Sequence, residues 1–549
     1  MSTPPSNFPA PGTPSRFGYA TGLGCRECGQ SYPIGSSHVC AECFGPLEVR
    51  YDYPRLSRAD IGAGPPNIWR YASLLPVPPD VAATPNTEPG LTRLVRAGQL
   101  GRELGMRALW VKDERANPTH SFKDRVVAVS LAAAIELGYK VLACPSTGNL
   151  ANAVAAAAAR AGIQSVVFIP ADLEPQKIVA TGVYGGTMVP VAGSYDDVNR
   201  LASELADDRE DWAFVNVNVR PYYAEGSKTI GFEIAEQLGW RLPAQIVVPV
   251  ASGAQLVKID KAFRELVQLG LVEDTPFRVF GAQATGCSPV AAAFRAGYDV
   301  VQPVRPATVA KSLAIGNPAD GPYVLDVVRR TGGAVADVND SRWWPRCGCW
   351  PRLRASSVRR RAGSPWACCA ACWPPASWTR TRKPSSSTPV TGSRLWTWWP
   401  MWPTRPRRSA LRSTRSWPSR LRWPGRRPAD RRPRARGNPG QPGTMRAVHA
   451  VVGEAGPGMT VSVRIPTILR TFTGGAAEVT AGPGTLREVI AGLDAEYPGI
   501  AGRIVDDSGQ LRRFVNVYVG EEDVRFAQGL DTPVPAGAHV SVIPAVAGG

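Results

Sequence analysis

The sequence has no long apolar run, and its N-terminus lacks the continuous apolar core that a secretion signal needs. Residues 1–22 are rich in Pro, Ser and Gly instead. We therefore expect a cytoplasmic protein that does not associate with membranes. A chain of 549 residues is long enough for several domains and a large buried core. In the cytoplasm, we expect the cysteines outside residues 341–437 to be thiols or metal ligands and not disulfides.

One segment almost completely lacks acidic residues. Residues 341–437 contain no Glu and one Asp against 23 Arg and one Lys, so the chain's net charge of +18 arises here and the remainder is mildly acidic. The segment has no helical or strand period, and it holds 12 of the 16 Trp. Natural disordered linkers are rarely rich in Trp, and a basic aromatic arm that binds nucleic acid is the other alternative. We favour a translated frameshift in a GC-rich gene, so we expect residues 341–444 to be disordered and no nucleic acid to bind.

Two C-x-x-C pairs lie near the N-terminus, with eleven residues between them. Each pair presents two sulfurs from one tight turn, so together they can close a tetrahedral thiolate site for structural zinc. The ligands would be Cys25, Cys28, Cys40 and Cys43. Four cysteines without a metal are the alternative. We predict a flexible arm over residues 1–20 and a zinc ribbon over residues 21–50.

Residues 67–330 alternate short β-branched runs with Ala-rich helical stretches. This alternation is typical of α/β layers around a mainly parallel sheet. The predicted strands are 108–112, 140–143, 165–169, 188–191, 245–250 and 278–282. The predicted helices are 126–138, 150–161, 195–205, 226–237 and 256–269. In such folds, ligands bind in the loops at the carboxyl edge of the sheet.

One of the predicted loops carries a candidate nucleophile, and two others carry groups suited to an anionic ligand. Lys123 follows an Asn-Pro turn at a helix start, where a lysine can be desolvated and become nucleophilic, although a surface lysine fits the spacing as well. Ser146, Thr147 and Gly148 precede another helix and could cradle a carboxylate, although helix capping also explains them. The loop at 251–256 could hold a phosphate on its amides, but a single glycine is a weak signal.

Residues 25–335 resemble threonine synthases, which are fold-type II pyridoxal-phosphate enzymes. The resemblance is carried by N-P-T-H-S-F-K-D-R, P-S-T-G-N-L-A-N-A, R-P-Y-Y-A-E-G-S-K-T, V-P-V-A-S-G-A-Q-L and K-S-L-A-I-G-N-P, in this order. It implies a catalytic domain over residues 51–340 that converts O-phosphohomoserine and water to L-threonine and phosphate. A homodimer is also compatible with it.

The resemblance also implies roles for individual residues. Lys123 would hold pyridoxal phosphate as a Schiff base and shuttle protons, Phe122 would lie beside the cofactor, and Asn149 would bond the phenolic oxygen of its ring. The cofactor phosphate would bind Ser252, Gly253, Ala254 and Gln255. The substrate carboxylate would bind Ser146, Thr147 and Gly148. The substrate phosphate would bind Ser227 and Lys228, and a solvated helix lysine is the alternative for Lys228.

The family's C-terminal part, which bonds the pyridine nitrogen of the cofactor, is missing from residues 341–444 as written. One choice of codons for residues 387–399, shifted by two nucleotides, encodes a run that resembles the C-terminal motif of the family. We therefore predict an exposed apolar sheet edge and little or no threonine synthase activity in this chain.

After a linker at residues 445–458, periodic patterns return over residues 459–549. Residues 460–471 alternate as a strand, Leu486, Val489, Ile490 and Leu493 mark one helix face, and residues 513–519 and 539–544 are further predicted strands. With I-P-T-I-L-R, R-F-V-N-V-Y-V and the final V-A-G-G, this region resembles β-grasp, ubiquitin-like sulfur carriers of the molybdopterin and thiamine type, and most closely the carrier of cysteine biosynthesis.

This second resemblance implies a thiocarboxylate at the terminal Gly549. It also implies two partners, an adenylating and sulfur-transferring enzyme and a cysteine synthase. A frayed end is the alternative for Gly548 and Gly549. For the whole chain, the alternative function is a catalytically dead enzyme fragment whose intact activity is sulfur carriage.

Overall fold

The computed structural model describes residues 14–340 and 460–545, apart from residues 84, 147, 173–174 and 194. The predictions for residues 341–459, for most of the N-terminal arm, for Thr147 and for Gly549 lie outside the described residues. Within the described part, no helix combines the length and the apolar character that a membrane span requires.

The N-terminal part is a small antiparallel sheet. Its strands are β1 (Ala20–Cys25), β2 (Ser31–Tyr32) and β3 (Leu47–Tyr51), in the order β2-β1-β3. Along β3, Leu47 and Val49 are buried and the intervening Glu48 is not, as the two-residue period of a strand requires. The buried face packs on the main hydrophobic core, so this small sheet is attached to residues 51–340 through apolar contacts.

The described residues between 51 and 340 form two parallel sheets, where the sequence predicts one. The first has the order β8-β7-β6-β9, and its strands are β6 (Val141–Pro145), β7 (Gln164–Pro170), β8 (Thr187–Val191) and β9 (Trp212–Phe214). The second has the order β10-β11-β12, and its strands are β10 (Gln245–Pro249), β11 (Arg278–Ala284) and β12 (Ala334–Val338). The predicted α/β class with parallel pairing is confirmed.

The predicted strand at 108–112 belongs to neither parallel sheet. It is β5 (Trp110–Lys112), which pairs antiparallel with β4 (Leu94–Arg96). Both strands are partly exposed along their length, and Trp110 is 42% exposed. Strands of parallel sheets are usually covered on both faces, which these two are not.

Helices alternate with the strands over residues 58–330. They are α1 (Arg58–Gly62), α2 (Gly98–Glu103), α3 (Lys123–Glu136), α4 (Asn149–Ala161), α5 (Pro175–Gly182), α6 (Tyr195–Asp208), α7 (Arg220–Gly226), α8 (Lys228–Gln237), α9 (Ala254–Gln268), α10 (Pro289–Ala296) and α11 (Gly321–Arg330). Short 3-10 helices lie at Ile68–Leu74, Val81–Ala83, Glu114–Ala116 and Lys311–Leu313.

The helix predicted at 226–237 corresponds to α8, which begins two residues later at Lys228; Gly226 is the last residue of the preceding α7, and Ser227 lies between the two helices. Gly226 ends α7 where it crosses α3. A Cβ at this position would lie 2.6 Å from the Cα of Val126 and 2.7 Å from the carbonyl oxygen of Arg125. Glycine therefore permits the backbones of α7 and α3 to meet directly.

Residues 460–545 form a β-grasp unit. Its five-stranded sheet has the order β14-β13-β19-β16-β17, built from β13 (Val461–Arg464), β14 (Glu478–Ala481), β16 (Val515–Val519), β17 (Glu522–Asp523) and β19 (His539–Pro544). A smaller pair consists of β15 (Gly484–Thr485) and β18 (Pro533–Val534). The strand predicted at 460–471 ends at Arg464, because Pro466 leads into a 3-10 helix at Thr467–Leu469.

The helix of this unit is α12 (Leu486–Glu496), followed by the short α13 (Ala501–Ile504). Thr485 and Glu488 form a capping box, in which the Thr485 hydroxyl accepts from the Glu488 N–H and the Glu488 carboxylate accepts from the Thr485 N–H. The predicted apolar face is buried, which confirms the helix. Two further 3-10 helices lie at Val524–Phe526 and Gly529–Asp531.

Candidate active site

Lys123 is the first residue of α3, and it lies inside the protein. It is 8% exposed, and its Nζ donates a hydrogen bond to the hydroxyl of Tyr223 over 2.7 Å. The rings of Phe122 and Tyr223 lie 4.8 and 5.4 Å from the same Nζ. The alternative of an ordinary surface lysine is therefore wrong.

The surroundings of Lys123 disfavour its charged form. Burial lowers the pKa of Lys123 to about 7, and Cys144 in β6 would oppose this shift only as a thiolate. Burial also raises the pKa of the Cys144 thiol. Among the described residues, no carboxylate pairs with Lys123. A substantial fraction of the amine is thus neutral near pH 7, as nucleophilic attack on an aldehyde requires.

The small-residue loop at 251–255 leads directly into α9. Ser252 is buried, and Gly253 has a φ of +102° at the N-cap, where no side chain caps the helix. A Cβ on Gly253 would lie 2.7 Å from Val324. The side-chain oxygen of Gln255 is buried and has no hydrogen-bond partner in the described part of the chain. Free amides at the start of a 15-residue helix suit a phosphate. This geometry is compatible with the predicted phosphate binding, which stays a prediction.

The loop before α4 is partly occupied by its own capping contacts. The Ser146 hydroxyl accepts hydrogen bonds from the N–H groups of Gly148 and Ala151, each over 3.3 Å. Asn149 is half-buried at the first position of α4. Capping therefore accounts for Ser146 in this conformation, and the proposed carboxylate cradle stays a prediction.

Lys228 lies in a closed ionic network. It is fully buried, and its Nζ contacts Glu225 at 2.8 Å, Glu265 at 3.0 Å and the carbonyl oxygen of Leu74 at 2.8 Å. The adjacent Ser227 is 1% exposed. The alternative of a solvated lysine is wrong. Binding of the substrate phosphate by Lys228 stays a prediction. A phosphate would have to displace the carboxylates and the carbonyl oxygen that contact the Lys228 ammonium.

Tyr223, which contacts Lys123, was not predicted from the sequence. It lies in the R-P-Y-Y-A-E-G-S-K-T run, but an aromatic residue in a helix gives no signal of its own there. Helix α7, which carries Tyr223, is held in place by contacts with three other segments. Tyr222 exchanges hydrogen bonds with the backbone of Gly35 in the ribbon, Arg220 pairs with Asp320 at 2.5 Å, and Glu225 pairs with Lys258 at 2.5 Å.

The four ribbon cysteines converge. Their sulfur atoms all lie within 4.8 Å of one another, with 3.5 Å between Cys25 and Cys43 and 3.5 Å between Cys28 and Cys40. The tyrosine hydroxyl of Tyr32 also donates to Cys40 Sγ over 3.1 Å. Four thiolates around a zinc ion at about 2.3 Å would be about 3.8 Å apart. The cluster therefore has the size of a closed thiolate site.

Comparisons with known proteins identify two families in this chain. Residues 86–345 match the family "Pyridoxal-phosphate dependent enzyme", and residues 463–549 match the ThiS family. The threonine synthase of Methanocaldococcus jannaschii is 36% identical over 327 residues, which are 58% of this chain and 78% of that protein. Threonine synthase of Methanosarcina acetivorans is 36% identical over 323 residues and has the same coverage. Threonine synthase of Mycobacterium tuberculosis is 33% identical over 275 residues, 50% of this chain and 73% of its own length.

Proposed function

Because this chain belongs to the threonine synthase family of pyridoxal-phosphate-dependent lyases, we propose that residues 51–340 derive from an enzyme that converts O-phosphohomoserine and water to L-threonine and phosphate. A ubiquitin-like sulfur-carrier domain of the ThiS family follows in the same chain. The observation that carries the proposal is the buried amine of Lys123, whose pKa burial lowers to about 7.

The residues present fit the cofactor. Lys123 would bind its aldehyde, and the uncapped start of α9, with Ser252, Gly253, Ala254 and Gln255, would hold its phosphate. Phe122 offers its ring beside the amine, and Asn149 lies at the start of α4. When bound, pyridoxal phosphate supplies an electron sink that makes protons on the adjacent substrate carbons removable.

The chain's own groups would carry the proton transfers. The Lys123 amine can accept a proton and return it near neutral pH, since its pKa is close to that pH. The Tyr223 hydroxyl holds this amine in one position through the 2.7 Å hydrogen bond. The buried surroundings also exclude water from the amine, which protects its reactivity.

We further propose that turnover by this chain is strongly impaired. The relatives extend beyond the matched region, since 22% of the Methanocaldococcus jannaschii protein has no counterpart in the match. Among the described strands, β12 has β11 on one side and no partner on the other. The missing part would include the group that bonds the pyridine nitrogen, which the family uses to stabilise charge on the cofactor ring.

Two measurements separate cofactor binding from turnover. Borohydride reduction of the purified chain with pyridoxal phosphate should attach one phosphopyridoxyl group, which mass spectrometry should locate on Lys123. Lys123→Ala should lose this modification completely, and the exposed Lys140→Ala should retain it. Phosphate release from O-phosphohomoserine should be barely detectable in all three proteins. No phosphopyridoxyl group on Lys123 would contradict the site, and turnover near that of an intact family member would contradict the impairment.

We propose zinc as the ion of the four-cysteine cluster. Its sulfur spacing supports this assignment, and a closed four-thiolate site has a structural role, since no coordination position remains for a substrate. Elemental analysis of the purified chain should find one zinc per chain, and Cys28→Ser with Cys43→Ser should lose it. Full zinc content in that double variant would contradict the assignment.

Sulfur carriage is the second function we propose, on the basis of the ThiS match and the β-grasp sheet. Gly549, outside the described residues, would be activated by an adenylating enzyme and converted to a thiocarboxylate, with one oxygen replaced by sulfur and AMP released. A cysteine synthase would be a recipient. Incubation with ATP, sulfide and an activating enzyme should add about 16 Da to the intact chain. Deletion of Gly548 and Gly549 should abolish this addition.

A further inference from the structure

We propose that the enzyme part has a binding surface for the sulfur-carrier domain, and that the carrier stays bound there without help from the covalent connection. This carrier-docking face consists of α6 with Arg200, Asp207 and Asp208, and of the ribbon with Glu27, Val39, Glu42 and Phe44. The proposal rests on the carrier assignment of residues 463–549, but it does not depend on activity of the enzyme part.

Acidic groups at the end of α6 receive basic groups of the carrier. Arg464 donates to the Asp208 carboxylate over 2.7 Å and to the carbonyl oxygen of Glu204 over 3.2 Å. Arg470 lies 3.4 Å from the same carboxylate. The carbonyl end of a helix carries partial negative charge, so it adds to the attraction for these arginines.

One backbone contact at this end is specific to the docked carrier. The Thr467 N–H donates to the Asp207 carboxylate over 3.4 Å, and burial raises the pKa of Asp207. In the opposite direction, Arg200 of α6 donates to the carbonyl oxygen of Gly520 over 2.7 Å and lies 5.5 Å from the Tyr518 ring. Donors on both sides fix the relative position of the two surfaces more strictly than net charge alone.

The ribbon supplies an apolar centre with charged groups around it. Val39 and Phe44 are buried at 2% and 0% exposure in one hydrophobic cluster with the carrier's core residues. Arg503 pairs with the Glu42 carboxylate and donates to its carbonyl oxygen over 3.0 Å, and Arg513 lies 3.6 Å from Glu27. An apolar centre inside a polar rim is the usual arrangement of a protein–protein interface.

The last described residue of the carrier lies close to a residue that contacts helix α11 of the enzyme part. The Ala545 N–H donates to the Phe514 carbonyl oxygen, and the Phe514 ring stacks on Tyr323 of α11 at 6.3 Å. Helix α11 follows Asp320, whose N–H donates to the carbonyl oxygen of Ser252. A short series of contacts therefore links Ala545, the last described residue of the carrier, to the loop before α9.

Hydrogen exchange at Thr467 tests the docking directly in the full chain, because this amide bonds to Asp207 only when the carrier is docked. Asp208→Arg would place a cation against Arg464 and Arg470, and the Thr467 amide should then exchange about tenfold faster or more. The Leu486 amide, which bonds to Thr532 inside the carrier, should keep its rate and so report an intact carrier fold.

Two further variants serve as controls. Asp274→Arg makes the same charge change at an exposed position that takes no part in these contacts, and it should leave Thr467 protected. Adding Arg464→Asp to Asp208→Arg should restore part of the protection. Equal Thr467 exchange rates in the original chain and in Asp208→Arg would overturn the proposal.

Cleavage tests whether docking needs the connection. A specific protease sequence inserted between residues 437 and 445 allows the full chain to be cut after purification. The two pieces should elute together from a sizing column at low salt, and they should separate in Asp208→Arg with Glu42→Arg. Separation of the original pieces at low salt would also overturn the proposal. Neither docking experiment measures thiocarboxylate formation. Failure of docking and failure of sulfur carriage would therefore appear in separate measurements.

Discussion

Lys123 and Lys228 are both buried lysines beside helix α7, and their surroundings differ in one decisive respect. Lys228 has two carboxylates and a backbone carbonyl within 3.0 Å of its ammonium. Lys123 has the hydroxyl of Tyr223 and aromatic rings, and burial lowers its pKa to about 7. The first environment stabilises a permanent cation, and the second favours a neutral amine.

From this difference in pairing we predict a structural role for Lys228 and a reactive role for Lys123. A buried ion pair contributes little to chemistry but becomes costly when one partner is removed. A buried amine without a carboxylate carries a desolvation cost in the folded protein, and that cost is the source of its reactivity. Four substitutions test the contrast, in order of expected effect.

Glu225→Gln should have the largest effect. The Glu225 carboxylate contacts Lys228, Lys258 and Lys261 within 3.0 Å, and these cations hold its pKa well below the usual range against the effect of burial. Removal of the charge leaves cations buried with fewer partners, at a cost of about 3–5 kcal/mol in unfolding free energy. Urea unfolding at pH 7 measures this loss, and the exposed Glu273→Gln should be unchanged. A loss below about 1 kcal/mol would show that the network is not structural.

Lys123→Met should stabilise the cofactor-free protein, in contrast to substitutions in the Lys228 network. The folded pKa of Lys123 is about 7 and its unfolded value is about 10.5, so between these values the unfolded chain binds more protons. The stability of the original chain therefore rises with pH across this window, by up to about 1.4 kcal/mol per pH unit.

The Met variant lacks this dependence. Its advantage should amount to a few kcal/mol at pH 7 and shrink toward pH 10. Unfolding free energies at pH 7, 8 and 9 measure the difference. Lys140→Met, at an exposed position, should show no such trend, and a constant difference for Lys123→Met would refute the assigned pKa.

Tyr223→Phe should have a smaller effect on the Lys123 amine. The substitution removes the hydroxyl that accepts from Nζ, and hydrogen bonds to charged groups contribute about 1.5–3 kcal/mol. The charged form loses more, so the pKa of Lys123 should fall further, by about one unit. The pH dependence of acetylation at Lys123, followed by mass spectrometry, gives this pKa. Tyr222→Phe, whose hydroxyl bonds to Gly35 in the ribbon, should leave the midpoint unchanged.

Asp299→Asn should have the smallest effect and sets the baseline for the comparison. Asp299 pairs with Arg329, but its side chain is 84% exposed. Exposed ion pairs contribute about 0–1 kcal/mol, since water screens the charges. Thermal unfolding should therefore barely change. A loss comparable to that of Glu225→Gln would mean that burial does not explain the difference between the two kinds of pair.

Much of the local structure could be predicted from the sequence. The helix at Leu486–Glu496 follows from its apolar spacing and its capping box, and the strand at His539–Pro544 has the predicted bounds. The helix predicted over residues 226–237 begins two residues later, at Lys228, because Gly226 belongs to α7, where it lies against the backbone of α3. The separation of the strands into two sheets was likewise not predictable, since strand order depends on contacts between distant segments.

By itself, the sequence determined which residues could take part in chemistry. It identified Lys123 at a helix start, the small-residue loop at Ser252 and four cysteines at ligand spacing. These features are local, so the spacing of residue types along the chain is enough to predict them. Tertiary structure decided how each of these groups is buried and paired. Tyr223 lies 100 residues from Lys123 and Glu265 lies 37 residues from Lys228, and such partners determine desolvation and charge. The difference between a neutral amine and a paired ammonium arises from neighbours that only folding brings together.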